Sequence, residues 1–296
     1  MNTIAFFCDQ QMLPGLHVAL LSLLERLDAE RSGALRVVVF SDGIRDSEKQ
    51  RIRETAAKVP TGGLVFEIRE FTPERLEGGG DLHGNTTGYG KFYMGERLPD
   101  CERCFVLDSD IRVNLPANRM FDLFDGRHVL VADGNADRNW DKHAELYRKA
   151  GLDMTRPSFN AGVLGLDLKL WRERGCLERC KAVALEYSDW LTGSDQAIFN
   201  LAFGDDYQPI GTHYNRGLRP KEAPVTKLES AIYHFIGSPK PWDAFAKRMH
   251  PNYHVWKEVY DRTALAGRSP RRYSSFKRSR KIVKSVLREW LRKRAS

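Results

Sequence analysis

The sequence has few cysteines and no long apolar run. Its 296 residues include five cysteines, an odd number spread over a large chain, which argues against a disulfide framework. No apolar stretch approaches the roughly 20 residues that a membrane-spanning helix needs. The first residues, MNTIAFFCDQQ, have neither a basic start nor a small-residue cleavage site, so we expect no secretion signal and a cytoplasmic location.

Two pairs of cysteines are closely spaced, in CERC (residues 101–104) and in CLERC (residues 176–180). This spacing raises the possibility of zinc, but histidines at zinc-finger spacing are missing. We therefore expect ordinary reduced thiols.

Positive charge is concentrated at one end of the chain. The composition, 42% apolar and 29% charged, is typical of a globular protein that buries a substantial core. From Arg268 to the end there are twelve Lys or Arg and a single acid, Glu289, against a net charge of +8 for the whole chain. Residues 1–267 are therefore mildly acidic, and the basicity belongs to the tail.

Strand-like and helix-like segments alternate along the first part of the chain. The apolar runs TIAFFCD, LRVVVFSDG and LVFEIREF are separated by LPGLHVALLSLLERL and RDSEKQRIRETAAKV, whose apolar residues recur at helical spacing. Further on, FVLDSD and VLVADGN are typical of central strands, and FNAGVLGLDLKLW of a strand that enters a helix. The pattern predicts an α/β fold with a mainly parallel central sheet flanked by helices.

Aspartates follow several of these strands. In such sheets ligands bind beyond the carboxyl ends of the strands, where the sequence places Asp9, Asp42, Asp108, Asp110 and Asp133. Asp108 and Asp110 would point the same way on an extended strand, and two carboxylates so close repel unless a cation lies between them. This spacing favours a divalent cation whose shell a diphosphate completes. The alternative is a surface turn.

A histidine far along the chain is a candidate third ligand. The segment AIYHFIGSPKPW places His234 after a short apolar strand, followed by Gly237, which permits close backbone approach, and Lys240, a cation for phosphate. Imidazole beside two carboxylates favours Mn²⁺, with Mg²⁺ as the alternative. A packed, hydrogen-bonded histidine is the structural alternative. Three histidines without such a motif are interpreted as surface or loop residues: His213, His250 and His254.

Five segments between residues 4 and 242, taken in order, resemble glycosyltransferase family 8. They are IAFFCDQQMLPGLHVALLSLL, YGKFYMGERLP before the FVLDSD strand, SFNAGVLGLDLKLWRE, SDQAIFNLAF and HFIGSPKPW. This family of retaining enzymes includes bacterial lipopolysaccharide glucosyl- and galactosyltransferases and glycogenin. The resemblance implies a GT-A fold, manganese, and transfer of a hexose, glucose or galactose, from a donor that is usually a UDP-sugar to a saccharide acceptor.

The resemblance also implies roles for individual residues. Asp108, Asp110 and His234 match the manganese ligands, and Asp195 and Gln196 match the catalytic pair under the reacting sugar. Other residues match donor-binding positions: Asp9 and Gln11 for the nucleotide; Lys91, Asp108, Ser109 and Asp133 near the donor; Asn160, Ala161 and Gly162 for the sugar pocket; Gly237 and Lys240 for the diphosphate.

Two of these positions bear on the mechanism. Lys91 stands where the family more often has Arg, and Lys lacks the bidentate fork of Arg, so donor affinity or sugar preference can differ. Gln196 is neutral and weakly basic, which makes it a poor nucleophile. We therefore expect a same-face displacement, in which the leaving phosphate helps to deprotonate the acceptor, over a covalent intermediate. The structural alternative for Asp195 and Gln196 is a helix N-terminus capped by Ser194.

The C-terminal segment FKRSRKIVKSVLREWLRKR (residues 276–294) has an amphipathic pattern. Its apolar residues form one helical stripe flanked by Lys and Arg, which is typical of an interfacial helix on anionic lipid. We therefore divide the chain into a catalytic domain, 1–266, and a basic amphipathic tail, 267–296. We expect a peripheral location on the inner face of the cytoplasmic membrane and a lipid-linked acceptor, such as a lipopolysaccharide or exopolysaccharide intermediate. The alternative is a solvated helix packed on the body.

Other functions fit the sequence less well. The acidic body offers no basic groove, so we expect no nucleic-acid partner. A haloacid-dehalogenase-type phosphatase also places DxD after an apolar strand, but it normally has Thr or Val where Arg112 stands, and near the start of the chain. An inactive sugar-nucleotide-binding membrane scaffold is a further alternative, against which the intact motif residues argue.

Overall fold

The computed structural model describes residues 1–28, 30, 35–74, 76–79, 86–134, 136–191, 194–220, 222–274, 279–280 and 282–283. The strands within these ranges are β1 (Asn2–Asp9), β2 (Leu35–Asp42), β3 (Val65–Glu70), β4 (Arg103–Leu107), β5 (Ile111–Val113), β6 (Leu130–Ala132), β7 (Ala136–Asp137), β8 (Pro157–Ser158), β9 (Val163–Asp167), β10 (Gln208–Pro209), β11 (Arg216–Gly217) and β12 (Ile232–His234). The α-helices are α1 (Leu13–Leu24), α2 (Asp46–Ala56), α3 (Met94–Arg97), α4 (Ala144–Lys149), α5 (Leu168–Glu173), α6 (Cys176–Glu186), α7 (Asp195–Phe203), α8 (Ala246–Met249) and α9 (Tyr253–Tyr260). Short 3-10 helices span Thr87–Tyr93, Ala117–Leu123, Arg138–Trp140, Thr212–Asn215 and Pro270–Tyr273.

The central sheet has seven strands in the order β10-β6-β9-β4-β1-β2-β3. Strand β9 runs antiparallel to β4 and β6, and the other neighbouring pairs are parallel. The predicted α/β fold with a mainly parallel sheet is confirmed. Because β9 is reversed, the residues that precede it lie at the same edge as the residues that follow β4.

The central strands of the sheet (β1, β2, β4, β6 and β9) are buried on both faces, which explains why they are nearly continuous apolar runs. Successive residues of β1 point to opposite faces, so that Ile4 and Phe6 join one core layer whereas Ala5 and Phe7 join the other. Helix α1, buried along its whole length, covers the first face. The polar residues at the ends of these strands therefore leave the core at the carboxyl edge of the sheet.

A smaller sheet lies beside this edge, in the order β11-β12-β5. Its antiparallel pair β12 and β5 sets His234 opposite Ile111, the residue after Asp110. The FVLDSD segment is not one strand as predicted, because β4 ends at Leu107 and residues 108–110 form a turn into β5. The two carboxylates are therefore brought together by a turn, and not by the alternation of side chains along a strand.

The structure also tests several smaller predictions. His213 and His254 are exposed, whereas His250 lies in a loop but is buried. The five cysteines are buried as free thiols, and burial raises the pKa of Cys8, Cys104 and Cys180.

The start of the basic tail packs on the body. Tyr273 is 4% exposed, belongs to the core below α1, and donates its hydroxyl to Glu48 Oε2 over 3.0 Å. Most of the predicted amphipathic helix (276–278, 281 and 284–294) lies outside the described residues, so both that helix and the boundary at 266/267 stay predictions. In the part of the chain that the structure describes, no helix has the length and apolar character needed to cross a membrane.

A buried histidine in α1 makes the stability of the fold depend on pH. His17 is fully buried with Nδ1 2.6 Å from Thr55 Oγ1, and burial, helped by Arg51, lowers its pKa to about 3. Its pKa in the unfolded chain is about 6.5. The unfolded state therefore binds the extra proton first, and stability that is present above pH ~6.5 is lost as the pH falls.

We expect His17 to contribute a loss of about 1.4 kcal/mol in the free energy of unfolding for each pH unit below about 6.5. Urea unfolding at two pH values, about 7.5 and about 5.5, measures the loss. A His17→Gln variant, which keeps a polar side chain but cannot titrate, should lose correspondingly less. Equal losses in the two proteins would contradict the assignment.

Candidate active site

Two carboxylates and an imidazole converge at the carboxyl edge of the central sheet. Ligand atoms of Asp108, Asp110 and His234 all lie within 4.8 Å of one another. His234 Nε2 is 3.2 Å from Asp110 Oδ1 and 3.8 Å from Asp108 Oδ2. Among the described residues, this is the one group of three or more acidic, histidine or cysteine side chains close enough to hold a metal ion.

Backbone hydrogen bonds hold these three residues in place. Asp108 N donates to Gly162 O at 2.8 Å, and Phe235 N donates to Asp110 O at 2.9 Å. Gly162 also lies against the imidazole ring, since a Cβ at this position would come within 2.6 Å of His234 Nδ1. A residue with any side chain would displace the ring, so the glycine is required by the site.

Lys91 links the metal-binding cluster to the predicted catalytic pair. It is 3% exposed, and its ammonium lies 2.8 Å from each of Asp108 Oδ1, Asp195 Oδ2 and the Ala161 carbonyl oxygen. Burial by itself would lower the pKa of Lys91, but the two carboxylates outweigh burial and raise it above its ordinary value. The three N–H donors of Lys91 thus meet three acceptors. Lys91, which lies in the 3-10 helix Thr87–Tyr93, thereby connects the turn at 108–110 to α7.

Lys240 plays the corresponding part beside Asp110. Its ammonium donates to Asp110 Oδ2 and, at 2.6 Å, to the Phe235 carbonyl oxygen. Burial opposes ionisation of Asp110, but the ammonium of Lys240 holds its pKa well below its usual range. The preceding loop turns at Gly237, whose φ of +88° lies in the region that favours glycine.

The sugar-pocket segment meets the catalytic pair through one asparagine. Asn160 donates from Nδ2 to Gln196 Oε1 at 2.8 Å, and its Oδ1 accepts from Gly162 N at 2.9 Å. Asp195 and Gln196 open α7, and Ser194 holds the N-cap position, but its side chain makes no capping hydrogen bond. Helix terminus and site contact are therefore both present.

Sequence reasoning missed Asn215, the last residue of a 3-10 helix. It is 1% exposed, lies 3.0 Å through Oδ1 from His234 Nδ1, and donates from Nδ2 to Asn160 Oδ1 at 3.0 Å. It also missed Asn200, which holds Phe159 and the Gln196 carbonyl oxygen by 2.9 Å hydrogen bonds. Asn215 lies in none of the five quoted segments, and its partners are distant in sequence. Asn200 lies within SDQAIFNLAF, but the resemblance gave it no role.

The remaining predicted donor residues lie around the same edge. Asp9 ends β1, and its Oδ1 accepts from the backbone of Gln11 and Met12 at 2.8 and 2.9 Å. Ser109 faces inward and donates to the Phe7 carbonyl oxygen at 3.0 Å. Asp133, buried after β6, has a pKa raised to about 7 by burial. The roles predicted for these residues toward a donor stay predictions.

The residues present fit a divalent ion. Two carboxylates and one imidazole nitrogen make a mixed oxygen and nitrogen donor set, which Mn²⁺ accepts more readily than Mg²⁺. The Asn215 amide oxygen can accept only from a protonated His234 Nδ1, which leaves Nε2, the nitrogen nearest the carboxylates, as the ligand atom.

The fold and the site define a glycosyltransferase of the GT-A class. Residues 3–246 match the model of glycosyl transferase family 8, so the chain belongs to this family. Family membership identifies the protein as a glycosyltransferase and excludes the phosphatase alternative.

The individual relatives share only low sequence identity with this chain. General stress protein A of Bacillus subtilis is 24% identical over 78% of this chain and 82% of its own length. Glycosyltransferase GlyF of Streptococcus pneumoniae is 25% identical over 69% of this chain and half of its own length. The crystal structure of the galactosyltransferase LgtC in complex with donor and acceptor sugar analogues superposes with a TM-score of 0.71 at 22% identity, covering 93% of this chain and 100% of LgtC.

Proposed function

We propose that this glycosyltransferase transfers a hexose, glucose or galactose, from a UDP-sugar to a saccharide acceptor, with retention of configuration and with a divalent metal. The observation that carries the proposal is the meeting of the Asp108, Asp110 and His234 cluster with Asp195 and Gln196, joined through the single ammonium of Lys91. A donor diphosphate and the sugar attached to it require two such sites side by side.

Asp108, Asp110 and His234 would hold the metal, Mn²⁺ by the preference of the donor set and Mg²⁺ as the alternative. When bound, the ion supplies positive charge and Lewis acidity at the leaving diphosphate. Lys240 adds a fixed ammonium next to Asp110, which stabilises negative charge that grows on the leaving group.

The catalytic pair holds the sugar. The carboxylate of Asp195 is fixed by Lys91 on one oxygen and by the Gln196 backbone N–H on the other, at 2.8 and 2.9 Å. An anchored carboxylate is suited to orienting sugar hydroxyls. Gln196 is neutral, and its Oε1 already accepts from Asn160, which makes a covalent intermediate on this oxygen unfavourable. These contacts support same-face displacement.

Nucleotide release from a panel of UDP-, GDP- and ADP-sugars tests the proposal, with Mn²⁺ and with chelator. Release from one UDP-sugar that chelator abolishes is the expected result. If the protein binds UDP in a metal-dependent way but transfers no sugar, either to a saccharide or to water, the result would favour the scaffold alternative. Absence of both release and metal-dependent nucleotide binding would contradict the function proposed here.

We further propose a lipid-linked acceptor and a peripheral place on the inner face of the cytoplasmic membrane. The support is the amphipathic, basic sequence of residues 276–294. Such a helix should bind vesicles that contain phosphatidylglycerol, and the binding should weaken as salt rises, because about 1 kcal/mol per basic residue is electrostatic.

Co-sedimentation of the full-length protein measures this binding. A Trp290→Ser variant, which keeps every charge but loses the largest apolar residue of the stripe, should bind less at each salt concentration. Equal binding to phosphatidylcholine and phosphatidylglycerol vesicles would contradict the electrostatic part of the proposal.

A further inference from the structure

We propose that Asn215 is a positioning residue that couples the metal ligand His234 to the catalytic Gln196 through a hydrogen-bonded chain of fixed polarity. The inference rests on the proposed function. The chain runs from His234 Nδ1 to Asn215, then to Asn160 and finally to Gln196, with distances of 3.0, 3.0 and 2.8 Å.

The polarity of this chain is set by a backbone group. Amide side chains can be turned by half a rotation, so their donors and acceptors must be assigned from partners whose role is certain. The N–H of Gly162 is always a donor, and it bonds Asn160 Oδ1 at 2.9 Å. The oxygen of Asn160 is therefore identified, and its Nδ2 group must be the one that donates to Gln196.

The same reasoning extends to the other end. Because Asn160 Oδ1 is an acceptor, the Asn215 atom that faces it must be Nδ2. Asn215 Oδ1 then faces the imidazole and accepts a hydrogen bond from His234 Nδ1–H. Each later assignment follows from the first one at Gly162.

Two consequences follow for the site. His234 is held as the Nδ1–H tautomer, with the Nε2 lone pair directed at the carboxylates 3.2 and 3.8 Å away. At the other end Gln196 Oε1 is an acceptor of Asn160, and its Nε2 group is the part left to contact a sugar. Asn215 thus sets which nitrogen His234 offers, and it holds in place Asn160, the residue that sets which atom Gln196 offers.

The local fold gives Asn215 little freedom to do anything else. It is 1% exposed and immediately precedes β11, which pairs with β12 so that Gly217 lies opposite His234. Leu218 N also donates to the His234 carbonyl oxygen at 2.7 Å. This backbone pairing of the residues that follow Asn215 keeps its amide next to the ring.

Two substitutions separate the two contacts. Asn215→Ala removes both, so we expect the affinity of the metal-free protein for Mn²⁺ to fall about 10–100-fold, the usual cost of losing an outer-shell partner. Asn215→Asp keeps an acceptor for His234 but loses the donor to Asn160. Its Mn²⁺ affinity should stay within about threefold of wild type, whereas kcat should fall in both variants.

Mn²⁺ binding measured by calorimetry, alongside kcat, KM and the melting temperature, tests this split. The matched control is Asn252→Ala, which removes a fully buried asparagine that bonds Val225 N at 2.7 Å, away from the site. The control should lower the melting temperature without changing Mn²⁺ affinity. Wild-type Mn²⁺ affinity in Asn215→Ala, or failure of Asn215→Asp to restore it, would overturn the proposal.

A spectroscopic measurement does not depend on metal, turnover or the folding of any variant. Two-bond ¹⁵N–¹H correlations of the histidine rings in the metal-free wild-type protein report the tautomer of His234. An Nδ1–H ring is expected, and an Nε2–H ring would overturn the proposal. Wild-type protein that binds no Mn²⁺ would contradict the proposed function, and the tautomer still decides whether the chain has the stated polarity.

Discussion

Replacement of Asp110 by alanine is expected to abolish Mn²⁺ binding and sugar transfer. Asp110 is 5% exposed and meets both His234 Nε2, at 3.2 Å, and the ammonium of Lys240. Loss of an outer-shell partner costs about 10–100-fold in metal affinity, so loss of a ligand should cost more than about 100-fold. Turnover should fall at least as far, because the same carboxylate positions Lys240 beside the leaving group.

The substitution also breaks a buried ion pair, and that effect must be separated from loss of the metal. A buried charge that loses its partner costs about 3–5 kcal/mol. Asp110→Asn keeps the shape and the hydrogen-bond acceptor while it removes the charge. Asp205→Ala is the matched control, because Asp205 bonds the fully buried Arg138 at 2.6 Å on another part of the surface.

Melting temperature, Mn²⁺ affinity and nucleotide release from the UDP-sugar are measured for all three variants. We expect lower melting temperatures in Asp110→Ala and in Asp205→Ala, with Mn²⁺ binding lost in the Asp110 variants alone. An Asp110→Asn protein that binds Mn²⁺ like wild type and retains full turnover would remove Asp110 from the metal site.

Much of the sheet could be predicted from sequence because its signals are local. Apolar runs such as VVVF, buried on both faces, lead to strands, and the aspartates that follow them mark the carboxyl edge. The direction of β9 was not predictable in this way. Periodicity is the same for parallel and antiparallel strands, and the long connection between β6 and β9 carries no signal of the direction in which β9 runs.

The candidate site divides in a similar way. Asp108 and Asp110 lie close in sequence, and His234 lies in a recognisable segment, so their meeting could be predicted. Their geometry could not, because it depends on a turn at 108–110 and on the pairing of β12 with β5. Asn215 contacts His234 only because β11 pairs with β12, and no residue near Asn215 in the sequence predicts this contact.

Lys91 shows how a departure from a family pattern gains meaning from structure. Sequence alone indicated a missing guanidinium fork. The structure places the ammonium between Asp108, Asp195 and the Ala161 carbonyl oxygen, all at 2.8 Å, so that its three N–H donors are used within the protein. Lys91 therefore acts by orienting two carboxylates of the site.

A methyl group added at Gly162 is expected to inactivate the enzyme without removing any functional side chain. A Cβ there would come within 2.6 Å of His234 Nδ1 and 2.8 Å of Asn160 Oδ1. Neither neighbour can yield freely, because Asn215 holds both of them by hydrogen bonds of 3.0 Å. The methyl group must therefore break the chain between His234 and Gln196 or push the backbone of β9 away from the turn at Asp108.

Gly162→Ala should therefore lower Mn²⁺ affinity and kcat together, each by more than about tenfold, since displaced outer-shell contacts alone cost that much. Overpacking of this kind costs about 1–3 kcal/mol of stability, which leaves a folded protein to measure. Gly62→Ala is the matched control, because Gly62 is exposed and a Cβ there meets nothing within 4 Å. Calorimetry with Mn²⁺ and initial rates of nucleotide release measure the effect. A Gly162→Ala protein with wild-type Mn²⁺ affinity would mean that the ring of His234 has room to move, and the tight site described here would then be wrong.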